Sequence, residues 1–188
     1  MATTQAETLS ASTYTGHLTN GDPTKAATIY KPTHPGYFEV QFRDGEYNSC
    51  LVALRNFTKG ETIAFMSHAK PSSVIRYSTV QVSEHDHIEL NSDLLYCNHS
   101  CDPSVHFQVS CPRNEWRAVA LRDIKEGDVL EFFYPSTEWN MTQPFDCSCG
   151  SKKCLRRISG AKHISTNVLN TFTINEHIRR LKAEQDKA

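Results

Sequence analysis

The chain has 188 residues, 38% of them hydrophobic and 22% charged, with a formal net charge of -1 and a pI near 6.7. This composition fits one domain built on one main core and excludes nucleic-acid binding driven by bulk positive charge. No apolar run approaches the roughly 20 residues of a membrane-spanning helix, and the opening "MATTQAETLSAST" lacks the basic and apolar regions of a signal peptide, so a nuclear or cytoplasmic protein is expected.

Residues 1–26 are rich in Thr and Ala without any period and are expected to form a disordered tail. From Tyr37, "YFEVQF" alternates and runs into "RDGE", the pattern of a strand entering a tight turn at Gly45. "SCLVALRNFTKGETIAFM" then carries two β-rich runs joined at Lys59-Gly60, and "RAVALRDIKEGDVLEFFY" repeats the arrangement around Gly127. Val52-Ala53-Leu54-Arg55 matches Val119-Ala120-Leu121-Arg122, Gly60 matches Gly127 and Phe65 matches Phe132. One echo is no solenoid. It predicts two similar strand–turn–strand units at opposite ends of one mainly β fold. Short strands are expected near "YSTVQVS" and "HIEL", with loops elsewhere. "SEHDHIEL" also sets His85 and His87 beside Glu84 and Asp86, a set better explained as a solvated loop than as a metal site. At the end of the chain, Thr173-Ile174-Asn175-Glu176 has the form of a capping box. Ile174, Ile178 and Leu181 follow on one stripe, so a terminal helix of roughly three turns is expected.

Seven cysteines are unevenly placed: Cys50, Cys97, Cys101 and Cys111, then Cys147, Cys149 and Cys154 together. Without a secretory signal, thiols or metal ligation are favoured over disulfides. "CSCGSKKC" supplies three thiolates where a closed zinc site needs four ligands, and Gly150 lets the backbone turn between them. A reduced, metal-free turn is the alternative. The fourth ligand must come from far away in sequence. Cys101 is the natural candidate because it sits in a polar loop, whereas Cys50, Cys97 and Cys111 lie among β-type residues as small core fillers.

That polar loop, "LLYCNHSCDPS", is poor helix and poor strand, because Asn and Ser compete for backbone hydrogen bonds. Asn98-His99-Ser100-Cys101-Asp102-Pro103 matches the "NHSCxP" motif of SET-domain methyltransferases. "GDVLEFFY" resembles their "GEELTFDY", "LVALRNFTKGETI" resembles their opening strand pair, and Cys147, Cys149 and Cys154 match their post-SET zinc motif. The resemblance runs from about Tyr37 to Gly160. It implies a mainly β SET-domain fold of small sheets with a pseudoknot, divided into a SET domain at 27–140, a post-SET zinc module at 141–160 and a C-terminal helical extension at 161–188.

The resemblance also implies roles. Asn98, His99, Asn48, Cys50, Leu51 and Phe145 would hold S-adenosylmethionine, and Ser100 would help to fix the pseudoknot. Cys101 would join Cys147, Cys149 and Cys154 around one structural zinc. Tyr134 would orient the methyl group and the amine, Phe132 would set the product state toward di- or trimethylation, and Tyr96 would line the same channel. The chain departs from the family pattern at Asn48-Ser49-Cys50, where a Gly-x-Gly turn aligns. It departs again at Phe133, in place of an aspartate, and at Ser104, in place of an asparagine. The implied function is methylation of a protein lysine, with histone the default substrate. The alternatives are a SET scaffold acting on a small molecule and a catalytically silent binding module. No direct nucleic-acid or membrane partner is expected.

Overall fold

A computed structural model describes residues 30–43 and 48–187. The tail at 1–26 and the turn at Gly45 lie outside the described residues. The strands are β1 (Phe38–Gln41), β2 (Cys50–Ala53), β3 (Thr62–Phe65), β4 (Lys70–Ser72), β5 (Thr79–Gln81), β6 (His87–Glu89), β7 (Asn98–His99), β8 (Val105–Gln108), β9 (Arg117–Ala120), β10 (Val129–Phe132), β11 (Phe145–Asp146) and β12 (Arg157–Ile158). Two helices follow, α1 (Thr166–Leu169) and α2 (Glu176–Gln185). The main sheet has the order β1-β2-β10-β8-β9-β3, with β7 paired to β10. The others are β4-β6-β5 and β11-β12. The fold is therefore mainly β and made of small sheets.

The sequence echo has a structural meaning, and it corrects the expectation of units at opposite ends. The two units pair with each other: β10 runs antiparallel to β2 and β3 antiparallel to β9. Phe57 bridges Ile124 at the centre, each backbone N–H donating to the other's carbonyl at 2.9 Å. Around that bridge the bonds come in matched pairs. Gly60 N–H donates to the Ala120 carbonyl at 2.8 Å and Gly127 N–H to the Ala53 carbonyl at 2.9 Å. Ala120 N–H donates to the Glu61 carbonyl at 3.0 Å and Ala53 N–H to the Asp128 carbonyl at 2.9 Å. Gly60 and Gly127 take φ of +85° and +89°, the left-handed geometry that lets each chain turn back on its partner. The repeat is thus a local two-fold, and its outcome is to fix β10 in the middle of the main sheet.

β8 emerges where only a loop was expected. Its alternation is clean, with Val105 and Phe107 buried and His106 and Gln108 half-buried, but the polar run and Pro103 before it hide the start. His87 also departs from the expected solvated loop, since it is buried within β6.

The terminal helix starts later than the capping-box register implies. Asn175, not Thr173, is its N-cap, and makes no side-chain cap bond. The Asn175 amide is instead committed to the body of the protein. Its oxygen accepts from Val109 N–H at 2.9 Å and Ser110 N–H at 3.2 Å, while its nitrogen donates to the carbonyls of Phe107 at 2.8 Å and Ser136 at 3.0 Å. Ile174 and Ile178 then join Phe133, Ala161 and Leu169 in a second small core, with Phe172 against it.

Phe57 is 1% exposed and fills the two-fold centre, so little nearby can collapse into the space it would leave. Phe57→Ala should cost about 3–5 kcal/mol of unfolding free energy, read as a lower denaturant midpoint at unchanged slope.

Candidate active site

The site forms where β10 ends. β7 lies parallel to β10, with Asn98 opposite Glu131 and His99 opposite Phe132, and Ser100 N–H donates to the Phe132 carbonyl at 3.1 Å. The "NHS" run therefore does form backbone pairs, but for two residues only. Just beyond β10, Tyr134–Ser136 make a 3-10 turn, which swings the Tyr134 ring to 5.2 Å from the His99 ring.

His99 is the junction of the site. Tyr134 N–H donates to its Nδ1 at 3.2 Å, so Nδ1 is the acceptor and Nε2 carries the hydrogen. That Nε2–H points at the Cys101 sulfur 3.4 Å away. Burial lowers the His99 pKa to about 4, which keeps the ring neutral and matches both bonds. Phe133 and Phe145 stand 5.7 and 5.6 Å from the ring.

Cys101, Cys147, Cys149 and Cys154 converge, their sulfurs all within 4.8 Å of one another. A zinc ion with bonds of about 2.3 Å sets tetrahedral sulfurs roughly 3.8 Å apart, so the four thiols fit such an ion. The backbone supports them. Leu155 N–H donates to the Cys101 sulfur and Arg156 N–H to the Cys154 sulfur, both at 3.4 Å. Burial pushes the Cys101 thiol up to about 11. Burial also opposes ionisation of Cys149, yet hydrogen bonds from the Cys101 and Ser151 backbone and the Cys147 and Cys154 thiols bring it down to about 7. Cys50 and Cys97 are buried and Cys111 is half-buried, all three free.

A cavity of about 510 Å³ runs from this cluster past His99 and Tyr134. Asn48, Asn98, His99 and Phe145 line it, as do Tyr96, Phe132 and Tyr134. Asn98 donates from its side-chain nitrogen to the Ser49 carbonyl at 2.8 Å, which fixes the turn where the family's glycines align. Cys50 and Leu51 are not brought to the wall: they are 3% and 0% exposed, with Leu51 in the main core. Phe132 stacks on Phe107 at 4.1 Å and meets Tyr134 at 4.7 Å. Burial, and then the charges of Cys97, Glu138 and Glu131, push the Tyr134 phenol well up, so it stays protonated at neutral pH.

Two groups of side chains at and behind the cavity escaped the sequence reading. Glu138 and Glu131 are carboxylates on the cavity wall, and only spacing from Tyr134 along a 3-10 turn points to the first. Asn175 and His177 brace the same turn from behind, with the His177 Nε2 at 2.8 Å from the Thr137 carbonyl. Phe133, where the family has aspartate, stacks on Phe172 at 3.8 Å and 6°. The apolar substitution thus anchors the C-terminal extension to the site.

The SET domain family model matches residues 48–135. Methyltransferase flvH of Aspergillus flavus is 39% identical over 156 residues, covering 83% of this chain and 86% of that relative. Two solved structures are more distant. KRYPTONITE in complex with mCHH DNA, an H3(1-15) peptide and SAH is 18% identical with a TM-score of 0.44, covering 64% of this chain and 29% of that one. The methyltransferase domain of human Histone-lysine N-methyltransferase SETMAR is 16% identical with a TM-score of 0.47, covering 65% of this chain and 58% of that one.

The cysteine geometry makes a direct prediction. Purified protein should carry about one zinc per chain, and Cys101→Ser should lose it. Because His99 links Cys101 to the Tyr134 backbone, a strong chelator should release the metal and weaken S-adenosylmethionine binding together. Metal analysis and calorimetry on one sample read both.

Proposed function

Because the chain belongs to the SET-domain family of S-adenosylmethionine-dependent methyltransferases, we propose that it methylates the side-chain amine of a lysine, carried by a protein such as a histone. The observation that supports this reading is the aromatic wall of the cavity, where Tyr134, Phe132, Phe107 and Tyr96 stand together. Aromatic faces suit the alkyl stem of lysine and the methylated cations it becomes.

S-adenosylmethionine, when bound, supplies the methyl group on a sulfonium. Asn98, His99, Asn48 and Phe145, which line the cavity, would hold it, while Cys50 and Leu51 would act only by carrying the strand that follows Ser49. Cys101, Cys147, Cys149 and Cys154 would hold one zinc and so close the cavity at its cysteine end. Tyr134 acts through alignment: its protonated hydroxyl positions the amine for in-line attack, and geometry of this kind is worth several kcal/mol. It is no base at neutral pH. Phe132 carries no hydroxyl at the channel wall, which leaves room for a second or third methyl group.

A free small-molecule amine is the second reading, and one observation favours it. A peptide that added to the edge of β5 would need free strand donors. Among the described residues, Thr79 N–H already donates to the Arg76 carbonyl at 3.1 Å and Gln81 N–H to Glu138 at 2.9 Å.

Labelled S-adenosylmethionine offered with histones, lysine peptides and free alkylamines separates the readings by which class gains label. A chain that binds the cofactor and labels no amine is a silent binding module, and both readings fall. On the substrate found, Tyr134→Phe should cut turnover on the order of 100-fold while cofactor affinity stays within about twofold, since the hydroxyl acts in the transition state.

A further inference from the structure

Methyl transfer to an amine needs an unprotonated nitrogen, yet an alkylamine arrives in water as an ammonium. The groups nearest Tyr134 are occupied or unsuited. The Tyr134 phenol is itself protonated, and His99 spends one ring nitrogen on the Tyr134 N–H and the other on Cys101. Glu138 is different. It follows Tyr134 along the same turn, its N–H donating to the Tyr134 carbonyl at 3.0 Å, it is a lining residue of the cavity, and its charge acts on the Tyr134 phenol.

The Glu138 carboxylate is held by one edge. Its Oε1 accepts from Gln81 N–H at 2.9 Å and from the Thr137 hydroxyl at 3.0 Å. Among the described residues no hydrogen bond or ion pair engages Oε2. A carboxylate taken largely out of water without a cationic partner is costly. Burial accordingly raises its pKa to about 7, against the pull of those two bonds. Among the described residues the surrounding groups bring no compensating cation, since Arg76 of the cavity wall lies 3.8 Å from Glu89 instead. Tyr134 and Glu131 share the cavity, His177 sits behind Thr137 with burial holding its pKa down, and the Lys182 amine lies over the Trp139 ring and donates to Gln185.

Resting on the N-methylation reading, we propose that Glu138 is the proton acceptor for the substrate amine: Oε2 receives the ammonium beside Tyr134 and takes up one of its protons. The balance is simple. The N–H bond breaks and its proton forms an O–H bond on Glu138. The freed nitrogen lone pair then forms the N–C bond as the sulfonium C–S bond breaks, leaving a neutral thioether and a methylammonium. Glu138 returns its proton to solvent through the cavity before the next turnover. The missing cationic partner of the carboxylate is thus the substrate itself, and the substrate class is a primary or secondary alkylamine.

The test compares the full-length, zinc-loaded parent with Glu138→Gln on n-butylamine, L-lysine and a lysine peptide, from pH 6 to 10. The amide oxygen of glutamine keeps the bonds from Gln81 and Thr137, so zinc content and S-adenosylmethionine affinity should not change. The turnover of the parent should rise through about pH 7 and level off. Glu138→Gln should be at least tenfold slower at pH 7.5 and should keep climbing toward pH 10, as solvent deprotonates the amine instead. Glu138→Asp should restore part of the rate and the earlier plateau. Product from Glu138→Gln at a normal rate, or with the profile of the parent, overturns the role of Glu138 and leaves N-methylation standing. No product from the parent on any of the three amines overturns both.

Discussion

The structure depends on one imidazole that is held from two sides. His99 accepts from the Tyr134 backbone and points its N–H at the Cys101 sulfur, so the aromatic end of the cavity and the cysteine cluster share a member. The bond from Tyr134 N–H does not survive protonation of Nδ1, and burial prevents that protonation at neutral pH. The constraint explains why an amide, an imidazole, a hydroxyl and a thiol stand in consecutive positions. Asn98 fixes the Ser49 turn, His99 joins the two halves, Ser100 N–H pairs with β10, and Cys101 belongs to the thiol cluster.

That arrangement works only if β10 is immobile, and the local two-fold provides for this. β10 is paired to β2 through its first half and to β7 and β8 through its second. Its position is set by the Phe57–Ile124 bridge rather than by a long hairpin. Behind the site, Asn175 joins the Phe107 carbonyl in β8 to the Ser136 carbonyl in the turn. The C-terminal helix is therefore part of the support for Tyr134. A side chain that meets four backbone groups in two segments is worth more to the site than a helix cap alone, because each buried group it satisfies would otherwise lose its partner.

The frame was legible in the sequence because its signals are local. Alternation gave β1, β-rich runs gave β2, β3, β9 and β10, the glycines marked both turns, and the thiol spacing asked for a distant fourth thiol, which Cys101 brings to the cluster in space. The misreadings share a cause, namely partners remote in the chain. Asn175 looks like the interior of a capping box until its contacts 65 to 68 residues away are known. Cys50 and Leu51 follow the aligned turn in sequence, yet every residue of β2 is buried, because the sheet is covered on both faces there. Phe133 reads as a departure from a polar motif position until its stack with Phe172 is seen. Glu138 belongs to no motif, and only the fold shows that it lines the cavity.

Charge completes the account of the site. The described cavity wall carries Glu131 and Glu138, and burial raises the pKa of both carboxyls. Among its charged lining residues, Arg76 is already within 3.8 Å of Glu89, and Asp146 within 3.0 Å of Arg157. The inner wall is thus short of positive charge, whereas the proposed methylation of an amine would bring in two cations, a sulfonium and an ammonium. Removing a proton between them lowers their mutual repulsion, and in a poorly solvated space that relief is large. On the proposed reading, a wall with an acidic excess would admit both reactants, and a carboxyl that titrates near neutrality would let one of them shed its charge. The same burial that keeps water from the Glu138 carboxyl raises its pKa toward neutrality, where on that reading it can take a proton from the amine.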